Sequence, residues 1–431
     1  MKIIWLCNTR FSGNGMRETG TWLQPLAELI HGVEGTKIVN ITFGSVDTLL
    51  TEDVLGIKQY ILPQKDRKDT RITGSRLQEI IDGERPDLVH IWGTENVWGK
   101  LYVEGYIKRP AFLEMQGMKS YYYYYYGGLT QKELIKCNLA PMSLYAPKSS
   151  LFLARRLFKK DGGEEVKVLK QFNQISVQSR WVEDHVLAIN PHVKIYHTNI
   201  ILREPFYSCM PWEWKETDHP PVLFSTSSSS TPYKGMHVLI RAVAELKKKY
   251  PEIKLNIAGS FWGRKGAFFS SGYSRFLLGL IKDLGVMDNI RFLGSLNAIE
   301  IIEQLQKADV CVIPSFIETY CVALAEAMMV GTPCVVSYAG AMPEFAVANE
   351  EALFYTSSDH VSCAARINDC LTNRSLSEKL SSNGHKRKLK DCNKEKMKEI
   401  QMENYKKILK DNTWGGVILL NRLYNQMPMT A

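Results

Sequence analysis

The chain lacks the features that mark exported, membrane-spanning and disulfide-bonded proteins. Its 431 residues contain no run of roughly 18 uninterrupted apolar residues, the length that a membrane helix requires, and the apolar start at residues 1–7 is too short for a signal-peptide core. The nine cysteines form no C-x-x-C pair, so neither a structural zinc site nor a disulfide framework is indicated. We therefore expect a cytoplasmic protein with reduced cysteines.

Charge and composition indicate a globular protein of two domains. The net charge of +9 is spread along the chain without an aromatic-interleaved RNA- or DNA-binding motif, so nucleic acid is not an expected partner. Apolar residues make up 45% and charged residues 23% of the chain, as is typical of soluble proteins. Because a chain of 431 residues exceeds what one hydrophobic core usually organises, we expect two domains with a cleft between them.

Short apolar runs predict parallel strands in both halves of the chain. In the first half these runs are 2–7, 39–43, 88–92 and 111–115. After Pro220 and Pro221 the pattern restarts, with runs at 222–225, 254–258, 289–293, 310–314 and 333–336. Helical sequence separates many of these runs, which is the pattern of an α/β fold. We therefore predict two doubly wound, Rossmann-like domains, 1–210 and 211–395, and a helical segment, 396–431, that crosses back to the first domain.

Two carboxylates flank a predicted helix N-terminus within residues 314–327. The loop after the strand carries Glu318, and the helix carries Glu326. Ligands of open α/β sheets bind beyond the carboxyl ends of the strands, and a helix N-terminus offers unpaired N–H groups to phosphate. Ionised carboxylates can accept hydrogen bonds from sugar hydroxyls, although a pair of solvated helix-end charges would give the same residues. The amides expected to face a phosphate are those of Thr319, Tyr320, Cys321 and Val322.

The spacing of Glu318 and Glu326 resembles the E-x7-E signature of retaining GT-B glycosyltransferases, especially glycosyltransferase family 4. Flanking segments follow the order of that family, namely 308–310, 314–315, 326–328, 331–333 and 340–344. Residues 86–90, Pro-Asp-x-x-His, also resemble a strand of the family, but the specific motifs concentrate in residues 222–344. The resemblance implies a GT-B fold whose two Rossmann-like domains face an interdomain cleft, with the donor bound mainly by the second domain.

The resemblance also implies roles for individual residues on the donor side. Glu318 would contact the donor sugar, Glu326 would hold the ribose, and Lys234 would neutralise charge on the departing diphosphate. The family's arginine five residues before this lysine is replaced by Ser229, and Arg264 is a candidate substitute or a solvated loop residue. Further donor contacts are expected from backbone loops at Gly13, Gly15, Gly294, Ser295 and Leu296. Gly13 and Gly15 also fit part of a dinucleotide fingerprint, and Gly294 alone fits a simple turn.

The acceptor-side candidates are His90, Gln116 and Arg180. Gln116 stands where many family members have a histidine, which suits a front-face transfer in which the leaving phosphate takes the acceptor proton. His90 also fits a buried strand histidine. The tyrosine run 121–126 suits stacking on a sugar or simple packing. The basic amphipathic segment 151–160 is typical of peripheral membrane contact, or of a solvated helix face.

These features predict a retaining glycosyltransferase that moves a hexose-type sugar from an NDP-sugar to a glycan or lipid-linked acceptor in polysaccharide biosynthesis. No D-x-D pair is present to hold a metal ion on the donor diphosphate, so we expect neither a metal nor a cofactor. The predicted location is the cytoplasm, with peripheral contact at the inner face of the membrane. The alternatives left open are a nucleotide-sugar epimerase of GT-B fold, a dehydrogenase and a non-catalytic sugar-binding protein.

Overall fold

The computed structural model describes residues 1–12, 22–138, 150–216, 219–226, 231–259 and 272–424, of which residues 412–424 are described by their backbone alone. Within these residues the strands form two sheets, one of eight strands and one of six. Each sheet carries helices that connect its strands, so the chain folds as two α/β units.

The first sheet has the spatial order β3-β4-β2-β1-β5-β6-β7-β8. Its strands are β1 (Lys2–Leu6), β2 (Lys37–Gly44), β3 (Leu50–Val54), β4 (Ile57–Pro63), β5 (Leu88–Trp92), β6 (Ala111–Glu114), β7 (Gln174–Val177) and β8 (Lys194–His197). All neighbouring pairs are parallel except β3 and β4, which form an antiparallel hairpin at one edge. The central strands are almost wholly buried, as parallel strands covered on both faces are.

Seven helices of the described residues lie between β1 and β9 along the chain. They are α1 (Leu23–His31), α2 (Thr70–Glu84), α3 (Trp98–Val103), α4 (Gln131–Asn138), α5 (Leu151–Leu169), α6 (Arg180–Ile189) and α7 (Pro205–Ser208). Asp69 caps α2, and Ser179 caps α6 by accepting from the Val182 amide. Capping side chains satisfy N–H groups that have no partner within the helix and so fix where these helices begin.

The second sheet is parallel throughout, with the order β11-β10-β9-β12-β13-β14. Its strands are β9 (Val222–Thr226), β10 (Lys254–Ala258), β11 (Ile290–Gly294), β12 (Val310–Ile313), β13 (Cys334–Ser337) and β14 (Leu353–Tyr355). Its helices are α8 (Met236–Lys247), α9 (Gly272–Asp283), α10 (Ala298–Lys307), α11 (Val322–Val330), α12 (Met342–Phe345), α13 (His360–Thr372) and α14 (Arg374–Asp391). Helix α11 is apolar except for Glu326 and is largely buried, so it belongs to the core of the second unit.

The last helix, α15 (Lys394–Tyr424), packs against the first sheet although it follows the second along the chain. The Tyr405 hydroxyl accepts from the Trp5 indole at 3.0 Å and lies 3.0 Å from His90 Nδ1. Asn404 donates to the carbonyl of His197 at the end of β8. This helix therefore ties the two sheets into one arrangement.

A second connection between the two units begins just after the tyrosine segment, residues 121–126, and runs to α8. His237 on α8 lies 2.8 Å from the carbonyl oxygen of Gly127, and Arg241 forms an ion pair with Glu133 on α4. Burial lowers the pKa of His237 to about 4, so the ring is neutral and bonds through its N–H. The two units therefore meet at Gly127 and α4, just after the tyrosine segment, as well as through α15.

Candidate functional site

The centre of the candidate site is an ion pair between Lys234 and Glu318. Lys234 ends a short 3-10 turn after β9, and Glu318 lies in the loop between β12 and α11. The Lys234 ammonium lies 2.7 Å from Glu318 Oε1, which also accepts from the Ser315 hydroxyl at 2.6 Å. The structure therefore brings together the two residues that the sequence predicts at the donor sugar and at the departing diphosphate.

Two glycines bring the loops of this pair together. Gly235 has a φ of +70°, and a Cβ at this position would lie 1.6 Å from the Pro314 carbonyl oxygen. Gly340 has a φ of +52°, and its Cβ would lie 2.1 Å from the carbonyl oxygen of Glu318. No larger residue fits either contact, because both the backbone conformation and the space require glycine. The loops around the ion pair are thus fixed by close backbone approach.

The environment of the pair keeps Lys234 charged. Burial opposes the charge on its ammonium, but the adjacent Glu318 carboxylate raises the pKa of Lys234 above its ordinary value. A quarter of the lysine side chain is exposed, against 9% for that of Glu318. The site therefore holds a permanent cation at the edge of a largely buried carboxylate.

Glu326, the second motif carboxylate, pairs with Arg203 from the segment that joins the two sheets. The distance from Arg203 Nη2 to Glu326 Oε1 is 2.6 Å, and both side chains are largely buried. Burial raises the pKa of Glu326, while the guanidinium opposes that rise. Both carboxylates of the motif are therefore matched by a cation.

The N-terminus of α11 lies in the sequence between the two motif carboxylates, Glu318 and Glu326. Cys321 occupies the N-cap position, and among the described residues its side chain makes no capping hydrogen bond. The first-turn N–H groups of a helix have no partner within the helix and carry a partial positive charge. Such a helix start can bind an anion when it faces a cavity.

A cavity of about 300 Å³ lies between the two sheets in front of this helix. Tyr320 and Val322 line it from the second unit. The remaining lining residues belong to the first unit or to the segment after it: Asn8, Thr9, Trp22, Glu95, Gln116, Gln178 and Ile200. The cavity is therefore an interdomain cleft, at the carboxyl ends of strands, where α/β folds bind ligands.

Direct hydrogen bonds hold the two walls of this cleft together. Ser179 donates to the carbonyl oxygen of Thr319 at 3.1 Å, and Thr319 donates its hydroxyl proton to the carbonyl of Gln116 at 2.5 Å. The carboxylate of Glu344 accepts from the backbone N–H groups of Arg180 and Trp181 at the start of α6. These contacts place Thr319 at the junction and set the width of the cleft.

Two acceptor-side candidates do not line the cavity. His90 is fully buried between Trp92 and Phe112, and burial lowers its pKa well below the ordinary value. The Arg180 guanidinium turns back along its own helix to Asp184 and Glu183. Of the three candidates, only Gln116 reaches the cavity wall.

The other predicted donor contacts have mixed placement. Gly294 ends β11 with a φ of +77°, and Ser295 and Leu296 follow it, but none of the three lines the cavity. Gly13, Gly15, Ser229 and Arg264 lie outside the described residues. Their donor contacts stay predictions.

Sequence reasoning missed Glu95, Gln178 and Trp22 as cavity residues. Glu95 follows the end of β5 by three positions, Gln178 follows β7 directly, and Gln116 lies two positions beyond β6. The signal was the placement of polar residues just after buried strands, since such strand ends meet at one edge of a parallel sheet. β7 was not predicted, so Gln178 had no strand end to follow.

Within the described residues, no group of three or more His, Cys, Asp or Glu side chains is arranged to hold a metal ion. Among the helices of the described ranges, none combines the length and the apolar character needed to span a bilayer.

Comparison with known proteins bears on the half of the chain that holds Lys234, Glu318 and Glu326. Residues 212–387 match the family described as Glycosyl transferases group 1. That match covers less than half of the chain. A D-inositol 3-phosphate glycosyltransferase of Corynebacterium diphtheriae is 29% identical over 139 residues, which are 32% of this chain and 32% of that protein. A glycogen synthase of Mycobacterium tuberculosis is 28% identical over 138 residues, 32% of this chain and 31% of the relative. The chain thus matches about a third of the length of these curated relatives.

Solved structures match along nearly the whole chain. Sucrose-phosphate synthase of Thermosynechococcus elongatus superposes with a TM-score of 0.71 at 14% identity and covers 95% of this chain and 99% of its own. The Anabaena protein HepE in complex with UDP-glucose gives a TM-score of 0.63 at 16% identity, over 94% of this chain and 100% of its own. At such identities the likeness establishes the fold, which is the predicted GT-B fold of two Rossmann-like domains facing a cleft.

Proposed function

We propose that the protein is a glycosyltransferase that moves a hexose-type sugar from an NDP-sugar donor to a hydroxyl of a glycan or lipid-linked acceptor in polysaccharide biosynthesis, with retention of anomeric configuration. The observation that carries the proposal is the Lys234–Glu318 pair beside the uncapped start of α11, in a GT-B fold. The relatives named above are transferases and synthases, which favours sugar transfer over the epimerase alternative.

In this proposal the donor diphosphate lies between Lys234 and the first-turn N–H groups of α11. Both are positive and fixed before the reaction, so they stabilise the charge that grows on the departing nucleotide. Glu318 then accepts hydrogen bonds from the donor sugar, and Glu326, held by Arg203, accepts them from the ribose. These charges come from the chain itself, so we propose that the transfer needs neither a metal ion nor a cofactor.

The transfer replaces one bond at the anomeric carbon. The acceptor oxygen bonds to C1 of the sugar, the bond from C1 to the phosphate oxygen breaks, and its electron pair leaves with the nucleoside diphosphate. The acceptor proton passes to the departing phosphate oxygen on the same face of the sugar. Gln116 cannot serve as the proton acceptor in place of a histidine because an amide has no basic nitrogen.

The test is a hydrolysis screen with UDP-, GDP- and ADP-hexoses, followed by NMR of the product anomer. We expect slow, acceptor-independent release of one nucleoside diphosphate from one donor class, and retention at C1 on transfer. Interconversion of the nucleotide sugar without release would support the epimerase, and binding without turnover would support a sugar-binding protein. Inversion at C1 would overturn the retaining part of the proposal.

We also propose that the surface formed by α5 and the tyrosine segment contacts the cytoplasmic face of an anionic membrane. Arg156, Leu157, Lys159 and Lys160 are exposed on α5, and Phe152 is half exposed beside them. The Arg155 guanidinium lies over the rings of Tyr122 and Tyr126, at 5.4 and 5.0 Å from their centroids. A basic helix face with aromatic rings suits the charged interface of a bilayer.

Vesicle co-sedimentation tests this surface. Each basic residue near an anionic membrane contributes about 1 kcal/mol, so the double variant Arg156→Glu, Lys160→Glu should weaken binding to phosphatidylglycerol vesicles at least about tenfold. The matched control is Lys247→Glu, Lys248→Glu at the C-terminal end of α8, which removes the same number of lysine or arginine charges from another helix. Equal binding of the two double variants would contradict membrane contact through α5.

A further inference from the structure

We propose that the acceptor group that enters the interdomain cavity is an uncharged, polyhydroxylated sugar bound by Glu95, Gln116 and Gln178, and not a sugar phosphate. The inference rests on the proposed glycosyl transfer and names the class of its acceptor. It is carried by the first-unit wall of the cavity, opposite Tyr320 and Val322.

Three polar atoms on this wall have no protein partner among the described residues. They are Glu95 Oε2, Gln116 Nε2 and Gln178 Oε1, each buried in a side chain that lines the cavity. Buried polar groups in proteins are nearly always hydrogen-bonded, to protein, water or ligand. The wall thus offers two acceptors and one donor, and a sugar hydroxyl can satisfy either kind because it both donates and accepts.

The Glu95 carboxylate is held in a narrow slot between two glycines. A Cβ at Gly93 would lie 2.1 Å from Glu95 Oε2, and a Cβ at Gly117 would lie 2.3 Å from Oε1. The two residues that follow the ends of β5 and β6 therefore leave room for this carboxylate because they lack side chains. The slot fixes the carboxylate before any ligand binds, which reduces the entropy lost on binding.

Gln178 is oriented from behind by a buried acid. It is 9% exposed, and its Nε2 donates to Glu114 Oε1, so its Oε1 is the end left for the cavity. Burial raises the pKa of Glu114 to about 8, which keeps this acid mostly uncharged at neutral pH. The amide therefore presents an acceptor to the cavity, and Glu114 acts on the acceptor sugar only through Gln178.

The charges around this wall disfavour a phosphate. Burial raises the pKa of Glu95 and the nearby Glu165 adds to that rise, while backbone N–H groups of Glu95 and Gly117 and the Lys119 ammonium oppose it. The Lys119 ammonium is itself paired with Asp161 at 3.0 Å. Arg67 donates to the main-chain carbonyl of Glu95 and not to its carboxylate. A phosphate here would place its oxygens against the Glu95 carboxyl group and the Gln178 amide oxygen, which are both acceptors, whereas sugar hydroxyls can donate to both, with Trp22 as an apolar wall.

The experiment measures transfer from the donor found in the hydrolysis screen to octyl hexosides and to the matching hexose 6-phosphates. We expect kcat/KM to be at least about tenfold higher for the hexosides. Glu95→Gln places an amide donor where an acceptor was, so the acceptor KM should rise about tenfold more than the donor KM measured by hydrolysis. Gln116→Met and Gln178→Met, which keep side-chain size, should raise the acceptor KM in the same way.

Glu84→Gln is the matched control, because Glu84 is also a largely buried carboxylate of the first unit but pairs with Lys2 and Lys58 away from the cavity. Equal acceptor KM values for Glu95→Gln and Glu84→Gln would overturn the inference. So would kcat/KM for the phosphates equal to or above that for the hexosides, or no transfer to any octyl hexoside while the donor is still hydrolysed. Absence of donor hydrolysis by the unaltered protein would instead overturn the proposed function, and this inference with it.

Discussion

The two sides of the interdomain cleft differ in whether their charged and polar groups have partners in the protein. On the side of the second sheet, both motif carboxylates are matched by cations, Glu318 by Lys234 and Glu326 by Arg203, although none of these four side chains lines the cavity itself. On the wall of the first sheet, Glu95 Oε2 has no protein partner among the described residues. The side with paired charges suits an anionic donor, because the Lys234 ammonium stays charged next to the start of α11. A wall of fixed, unpaired polar atoms suits neutral hydroxyls.

The largest expected effect is that of Lys234→Ala. Removal of one preorganised group that stabilises transition-state charge lowers turnover by about 100-fold or more, so kcat for donor hydrolysis should fall by at least that factor. Lys248→Ala, an exposed lysine just after α8, is the control and should keep the wild-type rate.

Because Lys234→Ala also leaves Glu318 without its cation, thermal unfolding must show that the variant is folded. Wild-type turnover by a folded variant would show that the Lys234–Glu318 pair takes no part in the mechanism.

The second largest effect tests the Arg203–Glu326 pair. Arg203→Met leaves a buried carboxylate unpaired, which should lower the free energy of unfolding by about 3 kcal/mol and raise the donor KM about tenfold. The double variant Arg203→Met, Glu326→Gln removes the unpaired charge. It should regain much of the stability but not the donor affinity.

Chemical denaturation of the two variants measures the effect on stability, and donor kinetics measure the effect on donor affinity. A double variant with the wild-type donor KM would show that the pair is structural only.

The pH dependence of stability tests the wall of the first sheet. The pKa of Glu114 is about 8 in the folded protein, above its unfolded value, so its contribution is fully present below the unfolded pKa and is lost as pH rises through 8. Between about pH 6.5 and 8 the loss is on the order of 2 kcal/mol, at about 1.4 kcal/mol per pH unit. Glu114→Gln removes this titration.

Urea unfolding at pH 6.5 and at pH 8 measures the difference. The lowered pKa values of His90 and His237 act in the opposite direction, because they reduce stability as pH falls through the unfolded histidine pKa of about 6.5, at the lower edge of this range. An equal decrease in the free energy of unfolding in the wild type and in Glu114→Gln would show that another titrating group causes the loss.

The smallest effect concerns the slot around Glu95. Gly117→Ala introduces a Cβ that would lie 2.3 Å from Glu95 Oε1, so the carboxylate must move. We expect the acceptor KM to rise about three- to tenfold, the equivalent of about 1 kcal/mol. In a Glu95→Ala background the same substitution should add little. Full additivity of the two changes, measured in a double-mutant cycle, would contradict the slot.

The sequence predicted the second sheet better than the first. Strands β10 and β5 begin and end where their apolar runs do, because each is a short buried run next to helical sequence. β3 was missed because Leu50–Val54 is mostly exposed and has no buried run to mark it. β4 contains buried residues, but Lys58 and Gln59 interrupt its apolar pattern. β7 and β8 were missed because both mix polar residues with apolar ones, and β14 was missed because it has only three residues, so none of them forms an apolar run like those that were predicted.

The candidate site also has parts that a local sequence pattern predicts and parts that it does not. The spacing of Glu318 and Glu326 is local, so the motif could be read from the chain directly. The partner of Glu326 could not, because Arg203 lies 123 positions away and meets it only through tertiary folding. Glu95 and Gln178 likewise come together only where three parallel strands end, and no local pattern records that meeting.

The most direct test of the account is a crystal structure with the nucleoside diphosphate released in the hydrolysis screen. The account predicts its β-phosphate within hydrogen-bond distance of Lys234 Nζ and of the first-turn N–H groups of α11, with the ribose on Glu326. A nucleotide bound away from the interdomain cavity, with the Lys234–Glu318 pair unchanged, would contradict it.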